Sequence, residues 1–221
     1  MVAGRPRLEE FKMKNNKCKI CRRLGVKLFL KGDRCLSPKC SMVRRPYPPG
    51  EKGKRRTRAS SEYGKELREK QKLRRWYNLD ERQFRKYVKE VLEKRGKVKD
   101  AGALLIKKLE SRLDNVVFRM GFVSSRVQAR QVVSHGHFLV NGKKVNIPSY
   151  QVKMGDKITL HPRSPKKTIF QNLPAALKKY KSPSWIELNI EKLEGKIINQ
   201  PNLEEAIPPS EISIIFEFYS R

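Results

Sequence analysis

Four cysteines stand close together near the start of this 221-residue chain, and the sequence contains no others. They occupy the stretch CKICRRLGVKLFLKGDRCLSPKC as Cys18, Cys21, Cys35 and Cys40. Four thiolates at these spacings can close tetrahedrally on zinc, and the neighbouring cations favour deprotonation. An iron–sulfur cluster is one alternative, and plain reduced thiols or disulfides are another. Because cysteine would fill all four positions, leaving none open for a substrate, the pattern predicts a structural zinc rather than a catalytic one.

Other residue types that perform chemistry form no catalytic pattern. His135 and His137 flank Gly136 without a nearby nucleophile or orienting carboxylate, so they either belong to a turn or hydrogen-bond to phosphate or ribose. Acidic residues are too sparse in 101–163 to predict a pair of catalytic carboxylates, and no GxxxxGK-type phosphate loop occurs. We therefore expect a protein that is not an enzyme and has no small-molecule substrate.

The charge of the chain indicates its partner. Lysine and arginine number 52 against 22 acidic residues, giving a net charge of +30. Residues 1–60 carry 19 basic and 4 acidic side chains, whereas residues 164–221 carry 8 and 7. A field of this kind needs a polyanion, either a nucleic acid or an acidic membrane surface. Nucleic acid is favoured because the charge lies on many segments rather than on one amphipathic helix.

The sequence also carries indications of location. The opening MVAGRPRLEEF lacks the apolar core of a signal peptide, and no apolar run approaches the length of a transmembrane helix. We expect a cytoplasmic protein, or one inside an organelle, with no membrane partner. In a reducing cytosol, clustered cysteines favour metal over disulfide.

The first half of the chain is predicted to be an extended arm and ribbon followed by helices. Prolines in RRPYPPGEKGKRRTR hold the backbone extended, and Tyr47 between them indicates docking rather than a disordered linker. A helix begins near Ser61, with its cations on a strip separate from its acids. We interpret that strip as a phosphate-contacting ridge rather than a solvated face. A second helix, DERQFRKYVKEVL, is capped by Asp80 together with Gln83.

The second half alternates helices and strands. LLIKKLESRLDNVVFRMG reads as one helix, and Ser125 caps a short helix that Gly136 ends. Asn141-Gly142 between β-formers predicts a two-residue hairpin turn, and GDKITL predicts a further strand. WIELNI and EISIIFEFYS are β-like, and both tryptophans are expected to anchor cores.

Several of these stretches resemble a known family. ESRLDNVVFRMGF, SRVQARQVVSHG and VNGKKVNIPSYQVKMGDKI resemble the RNA-binding module named after bacterial small-subunit ribosomal protein four, which also occurs in some pseudouridine synthases and tyrosyl-tRNA synthetases. The cysteine stretch, RRPYPPG, LREKQKLRRWYNLDERQF and EFYSR resemble the ribosomal family itself, in its order and over nearly the whole chain. An enzyme bearing the module needs a catalytic domain larger than residues 164–221. A zinc-finger DNA regulator needs a base-reading helix where this chain has prolines.

The resemblance implies an α+β fold in three parts. These are a basic arm with a four-cysteine metal knuckle and Pro-rich ribbon (1–50), a mainly helical domain (51–103 and 161–221), and an inserted RNA-binding module (104–160) of two helices and a small sheet. It also implies direct binding to 16S rRNA, nucleation of 5′-domain assembly, and contact with ribosomal protein five at the path by which mRNA enters, with an influence on translational accuracy. Many relatives lack the cysteines, so the four present here support the zinc-binding type.

We expect phosphate and ribose contacts from the ribbon, the ridge and the module. The predicted RNA-binding residues are Arg55, Arg56, Arg58, Lys65, Arg68, Lys72, Arg75, Arg112, Arg119, Arg126, Arg130, His135, His137, Asn141, Lys143 and Lys144.

Overall fold

The computed structural model describes residues 17–51, 53, 59–94 and 100–220. Helices and a five-stranded antiparallel sheet make a mixed α+β fold, as the sequence predicts. Three hydrophobic clusters divide the chain into a cysteine segment, a helical body and a sheet module. We use these names for residues 17–51, for residues 59–94, 101–110 and 203–220, and for residues 111–201, respectively.

The cysteine segment has a very small core. Its buried cluster consists of Cys21, Leu28 and Leu30, and Trp76 of the helical body packs against it. Three short helices are joined by turns: α1 (Lys17–Leu24), α2 (Asp33–Leu36) and α3 (Ser41–Arg44). Because so little apolar surface is buried, the segment depends on its neighbours for stability.

Two helices of the helical body begin where the sequence predicts. These are α4 (Glu62–Trp76) and α5 (Glu81–Leu92). The Ser61 side chain accepts a hydrogen bond from the Gly64 N–H and caps α4. The N-cap residue of α5, Asp80, makes no side-chain capping bond, so the predicted capping box is not formed. The fully buried face of α5 comprises Phe84, Val88 and Val91.

The stretch predicted as one long helix is two helices, α6 (Ala101–Glu110) and α7 (Leu113–Arg119). Between them Arg112 has extended backbone angles, φ −69° and ψ 138°. The N–H of Leu113 donates to the carbonyl of Tyr150 at 2.8 Å instead of continuing the helix. The single-helix prediction is wrong because the apolar stripe of α6 enters the core of the helical body, whereas that of α7 enters the core of the sheet module.

The next helix follows its sequence signals. Gly121, with φ 76°, ends α7, and the Ser125 side chain accepts from the Gln128 N–H to cap α8 (Arg126–Ser134). Gly136, with φ 70°, ends α8. Local side-chain and backbone chemistry therefore sets the bounds of this helix.

The sheet extends well beyond the predicted module. Its order is β2-β1-β3-β5-β4, and β3 pairs with β5. The strands are β1 (Phe138–Val140), β2 (Lys143–Lys144), β3 (Lys157–Leu160), β4 (Ile186–Asn189) and β5 (Glu194–Ile197). Trp185, as predicted, is a core anchor, and helix α9 (Leu173–Lys178) adds Leu173 to the same core. The expectation that residues after 160 pack on the helical domain is wrong for 161–201, because β5 satisfies the open edge of β3.

The C-terminal residues return to the helical body as α10 (Leu203–Ala206) and α11 (Ile212–Ser220). EISIIFEFYS, predicted to be β-like, is therefore mostly helical. Ile215 and Phe216 are buried against α4 and α5, and Ile212 and Tyr219 flank them at helical spacing. Tertiary packing overrides β-propensity here because these four residues also make one apolar helix face.

Candidate nucleic-acid interface

The four cysteines line one small cavity in the cysteine segment, together with Lys17, Leu30, Lys31, Ser41 and Met42. The cavity measures about 10 Å³, room for one water-sized sphere. Cys21, Cys35 and Cys40 are buried, and all four thiols are free of disulfides. Burial raises the pKa of Cys21 and of Cys35. Within the described ranges no group of three or more His, Cys, Asp or Glu side chains is arranged to hold a metal, although sulfur donors are of the type that zinc takes.

The proline ribbon docks on the cysteine segment through Arg22. Its Nε donates to the carbonyl of Tyr47 at 2.9 Å, and its guanidinium lies 5.0 Å from the centre of the Tyr47 ring. This contact confirms the docking that the sequence indicates for Tyr47. The cysteine segment also carries exposed cations, namely Lys19, Arg23, Lys27, Arg34, Lys39, Arg44 and Arg45. Arg55, Arg56 and Arg58, predicted to extend this surface, lie outside the described residues.

The predicted ridge on α4 is only partly formed. Lys65 and Arg68 are exposed. Lys72 instead forms an ion pair with Glu69, and the two side chains are 15% and 17% exposed. Arg75 is half-buried, and burial followed by the charge of Arg74 lowers its pKa. The prediction of an uninterrupted cationic ridge is wrong at Lys72, because the helix turn brings an acid within reach of it.

A buried ionic network joins the helical body to the sheet module, and Glu110 is at its centre. Glu110 is 1% exposed and accepts from Arg119 at 2.9 Å and from the Tyr77 hydroxyl at 2.7 Å. It also accepts from Asn115. Burial alone would raise the pKa of Glu110, but hydrogen bonding and the charge of Arg119 lower it below its usual value. The carboxylate is therefore held in its charged form inside the protein.

Two arginines predicted to contact RNA belong to this buried region. Arg112 is 1% exposed and donates to Asp114 at 2.7 Å and to the Tyr87 hydroxyl at 2.9 Å. Arg126 donates to Asn115 at 2.7 Å, and its guanidinium lies 3.8 Å from the centre of the Trp76 ring. In place of the predicted RNA contacts, the structure gives both guanidinium groups protein partners.

Burial lowers the pKa of Arg126 to about 10, so the side chain still carries its charge at neutral pH. Arg119 is committed to Glu110 and also donates to the carbonyl of Ala206, which ties it to the C-terminal segment. The structure thus gives Arg119, also predicted to contact RNA, two protein partners. The remaining arginine of α8, Arg130, is half-buried and donates to the carbonyl of Asn78 at 2.9 Å.

The hairpin keeps most of its predicted surface. Lys143 and Lys144 are exposed on β2, and His135 is exposed just after α8. Asn141 is exposed, but its side chain donates to Asp156 and accepts from the Lys157 N–H, so it holds the turn instead.

His137, also predicted to contact RNA, is by contrast buried and hydrogen-bonds Ser164 at 2.9 Å. Burial, and next the charge of Lys167, lowers its pKa. Sequence reasoning missed the cations of HPRSPKK, although this basic run was the available signal. The charge of one of them, Lys167, acts on His137. Arg163, Lys166 and Lys167 are all exposed.

A cavity of about 660 Å³ lies away from these cations, between the start of α6 and the C-terminal helices. Among the described residues, its lining includes the carboxylates Asp100 and Glu217 and no lysine or arginine. No helix in the described part of the chain is long and apolar enough to span a membrane.

Comparisons with known proteins agree with this arrangement. Residues 12–110 match the family model described as the ribosomal protein S4/S9 N-terminal domain, and residues 111–158 match the S4 domain. The small ribosomal subunit protein uS4 of Thermus thermophilus is 48% identical over 92% of this chain and 96% of its own length. The corresponding proteins of Caldicellulosiruptor bescii and Thermotoga petrophila are 52% and 47% identical, with the same coverage.

The chain belongs to the uS4 family of small-ribosomal-subunit proteins. As a member of the uS4 family it is a structural component of the small ribosomal subunit and is not an enzyme. The start of the S4-domain match at residue 111 coincides with the break between α6 and α7. The uS4 module thus begins at the residue where the chain leaves one core for the other.

Proposed function

We propose that this chain binds 16S rRNA directly and contributes to the assembly of the small ribosomal subunit. The observation that carries the proposal is that exposed cations occur on three separate regions. They are the cysteine segment, the first turns of α4 (Lys65 and Arg68) and the hairpin (Lys143 and Lys144). Membership of the uS4 family supplies the ribosomal context.

The mechanism follows from charge and shape. Each cation that neutralises a phosphate releases counterions, so several regions acting together can offset the repulsion between neighbouring RNA helices. Because A-form RNA hides its major-groove base edges, specificity comes from the shape of a helical junction and from ribose contacts. Simultaneous contact with several helices is what nucleation of the 5′ domain requires.

The proposed contact residues differ from those expected from sequence alone. We retain Lys65, Arg68, Arg130, His135, Lys143 and Lys144, together with Arg55, Arg56 and Arg58 of the ribbon. Arg112, Arg119 and Arg126 are instead proposed to hold the module in place. This division rests on the partners and burial of each side chain.

Two finer parts of the proposal rest on the family resemblance. The chain neighbours ribosomal protein five, and it lies beside the path by which mRNA enters, where it influences translational accuracy. Cross-linking in purified subunits tests the first part: a cross-link from this chain to protein five supports it, and cross-links to other proteins alone contradict it. Misreading rates in cells carrying surface variants test the second.

We also propose a structural zinc held by Cys18, Cys21, Cys35 and Cys40, which places this chain in the zinc-binding type of the family. Support comes from the shared cavity and from the lack of apolar residues to stabilise the segment otherwise. Zinc bound by four thiolates supplies cross-links within the segment. These cross-links would tie α1, which carries Cys18 and Cys21, to Cys35 of α2 and to Cys40 just before α3.

Replacing Cys18 and Cys21 by serine tests the zinc proposal. We expect the double variant to lose its metal and to loosen the cysteine segment while α5 and the strands of the sheet stay folded. Metal analysis and amide hydrogen exchange measure both effects. About one zinc per protein in the double variant, or iron in the wild type, contradicts it.

The RNA proposal is tested by affinity for a 5′-domain fragment of 16S rRNA against a scrambled RNA of equal length, across a salt series. We expect a preference that survives high salt. Lys143→Ala with Lys144→Ala should weaken binding and reduce the salt slope by about 1 for each phosphate that is no longer neutralised. The matched control, Lys178→Ala with Lys179→Ala, removes two exposed lysines from the near-neutral part of the chain. Equal binding to both RNAs at every salt concentration contradicts the proposal.

A further inference from the structure

Three regions of the chain meet at the start of α8. Ser124 immediately precedes the residue that caps this helix, and its backbone lies against Gly32 of the cysteine segment. Arg126, the first residue of α8, lies on Trp76 of the helical body. Trp76 in turn packs against both the cysteine-segment cluster and the helical-body cluster. The start of α8 is therefore in contact with both of the other regions.

The approach of Gly32 to Ser124 is too close for any side chain. A Cβ at position 32 would lie 2.8 Å from both the Cβ and the carbonyl oxygen of Ser124, and closer still to its Oγ. Rotating the Ser124 side chain would not relieve the carbonyl contact, because that oxygen is backbone. Gly32 is buried and also has a positive φ of 58°. The contact thus requires glycine for reasons of space as well as conformation.

Two side-chain hydrogen bonds from α8 also hold the helix in place. Arg126 donates to Asn115 at 2.7 Å, and Arg130 donates to the carbonyl of Asn78 at 2.9 Å. These bonds tie the helix to α7 and to the turn between α4 and α5. The contact with the cysteine segment is the third attachment, and it is formed by a region with a very small core of its own.

We propose that the cysteine segment positions the sheet module through two contacts. Gly32 packs directly against Ser124, and Trp76, which packs on the cysteine segment, also packs on Arg126. The segment thereby sets where the hairpin cations lie relative to those of α4 and of the segment itself. Preorganising separate cationic regions reduces the ordering cost of binding one rigid RNA junction. The RNA part of this inference rests on the proposed function, whereas the positioning part does not.

Two glycine variants isolate the contact. Gly32→Ala creates the collision with Ser124, whereas Gly25→Ala places alanine at a similarly positive φ of 73° with no atom within 4 Å. Both variants place a Cβ at a positive φ, but Gly32 also has a ψ of −129°, which alanine tolerates poorly, so the Ser124→Gly rescue is needed to separate the collision from backbone strain. In Gly32→Ala we expect amide exchange in α8 to be about tenfold faster than in Gly25→Ala, equivalent to ~1.4 kcal/mol, with α5 unchanged as the internal reference.

Removing the Ser124 side chain should reverse part of the faster α8 exchange caused by Gly32→Ala. Adding Ser124→Gly to Gly32→Ala deletes the Cβ and Oγ contacts and leaves only the carbonyl contact. We expect the double variant to recover part of the α8 protection and part of the affinity for the 5′-domain RNA fragment. A merely destabilising Gly32→Ala would not be rescued by a second substitution in another region.

Unchanged α8 exchange in a folded Gly32→Ala overturns the proposal. If Gly32→Ala does not fold, Cys18→Ser with Cys21→Ser loosens the segment from inside, and α8 exchange must then rise for the proposal to stand. RNA affinity is measured in parallel and is expected to fall about tenfold in Gly32→Ala relative to Gly25→Ala. If wild-type protein shows no preference for the 16S fragment, the proposed function fails while the exchange data still decide the positioning.

Discussion

The basic residues of the buried junction and those of the hairpin show how the same kind of side chain can have opposite roles. Arg119 and Arg126 surround Glu110 inside the protein, while Lys143 and Lys144 lie on an exposed strand. Burying a charge is costly unless a partner of opposite sign accompanies it. The few acids of this part of the chain are therefore decisive. Where one is buried, arginines gather around it, and elsewhere the cations remain available to an external polyanion.

The largest effect is expected from removing the acid at the centre. Glu110→Ala leaves Arg119 and Arg126 buried without their carboxylate, which should lower the free energy of unfolding by about 3–5 kcal/mol. Urea denaturation measures the change, and Glu191→Ala, at an exposed position, is the control. A loss no larger than that of the control would mean that the junction is not held by this network.

A smaller loss is expected from removing one arginine of the junction. Arg126→Ala loses the packing on Trp76 and leaves the side-chain oxygen of Asn115 without its donor, for about 2–4 kcal/mol. The salt dependence of RNA binding by the folded fraction should not change. Circular dichroism melts and a salt series together check both statements. A flatter salt slope in this variant would return Arg126 to the RNA surface.

The junction also makes stability depend on pH. The pKa of Glu110 is lowered in the folded protein, because hydrogen bonding and the charge of Arg119 outweigh the effect of burial. Its contribution is present above the unfolded pKa of about 4.5 and is lost as pH falls through the folded value. We expect Glu110→Gln to have a shallower loss of stability than the wild type in acid. An equal fall in the free energy of unfolding with decreasing pH for the two proteins would contradict this.

The smallest effect on stability is expected at Lys72 on α4, which is compared with its neighbour Arg68. Lys72→Ala removes an i,i+3 ion pair with Glu69 and should change stability by less than about 0.5 kcal/mol, with no effect on RNA affinity. Arg68→Ala, one turn earlier and exposed, should weaken RNA binding measurably. Equal RNA affinities for the two variants would show that the α4 surface does not distinguish paired from exposed cations.

Much of the local structure is visible in the sequence. The helix predicted to begin near Ser61 does so, Ser125 caps the helix it was expected to cap, and Asn141-Gly142, with φ of 50° and 78°, forms the predicted hairpin turn. These signals work because the donors and acceptors lie within a few residues of each other. The overall basic charge and the four clustered cysteines were equally plain, since they need no folding to be counted.

Which basic residues are buried and which are exposed could not be predicted in the same way. Arg112 and Lys143 are both basic residues, and nothing local to either indicates that Tyr87, far earlier in the chain, helps to enclose the first while the second stays exposed. The extension of the sheet by β5 depends on a strand more than thirty residues along the chain from β3. Such outcomes depend on partners distant in sequence.

The sequence by itself determined the Ser125 cap, the hairpin turn, the charge and the presence of a thiol cluster, because each is a property of a few adjacent residues or of the composition. Only the tertiary structure decided that the chain breaks at Arg112, that EISIIFEFYS is mostly helical, and which cations face outward. In each case the local sequence was compatible with more than one backbone conformation or with either a buried or an exposed charge. Burial against a particular core selected one of them, since the free energy of burying apolar surface and pairing charge exceeds local conformational preference.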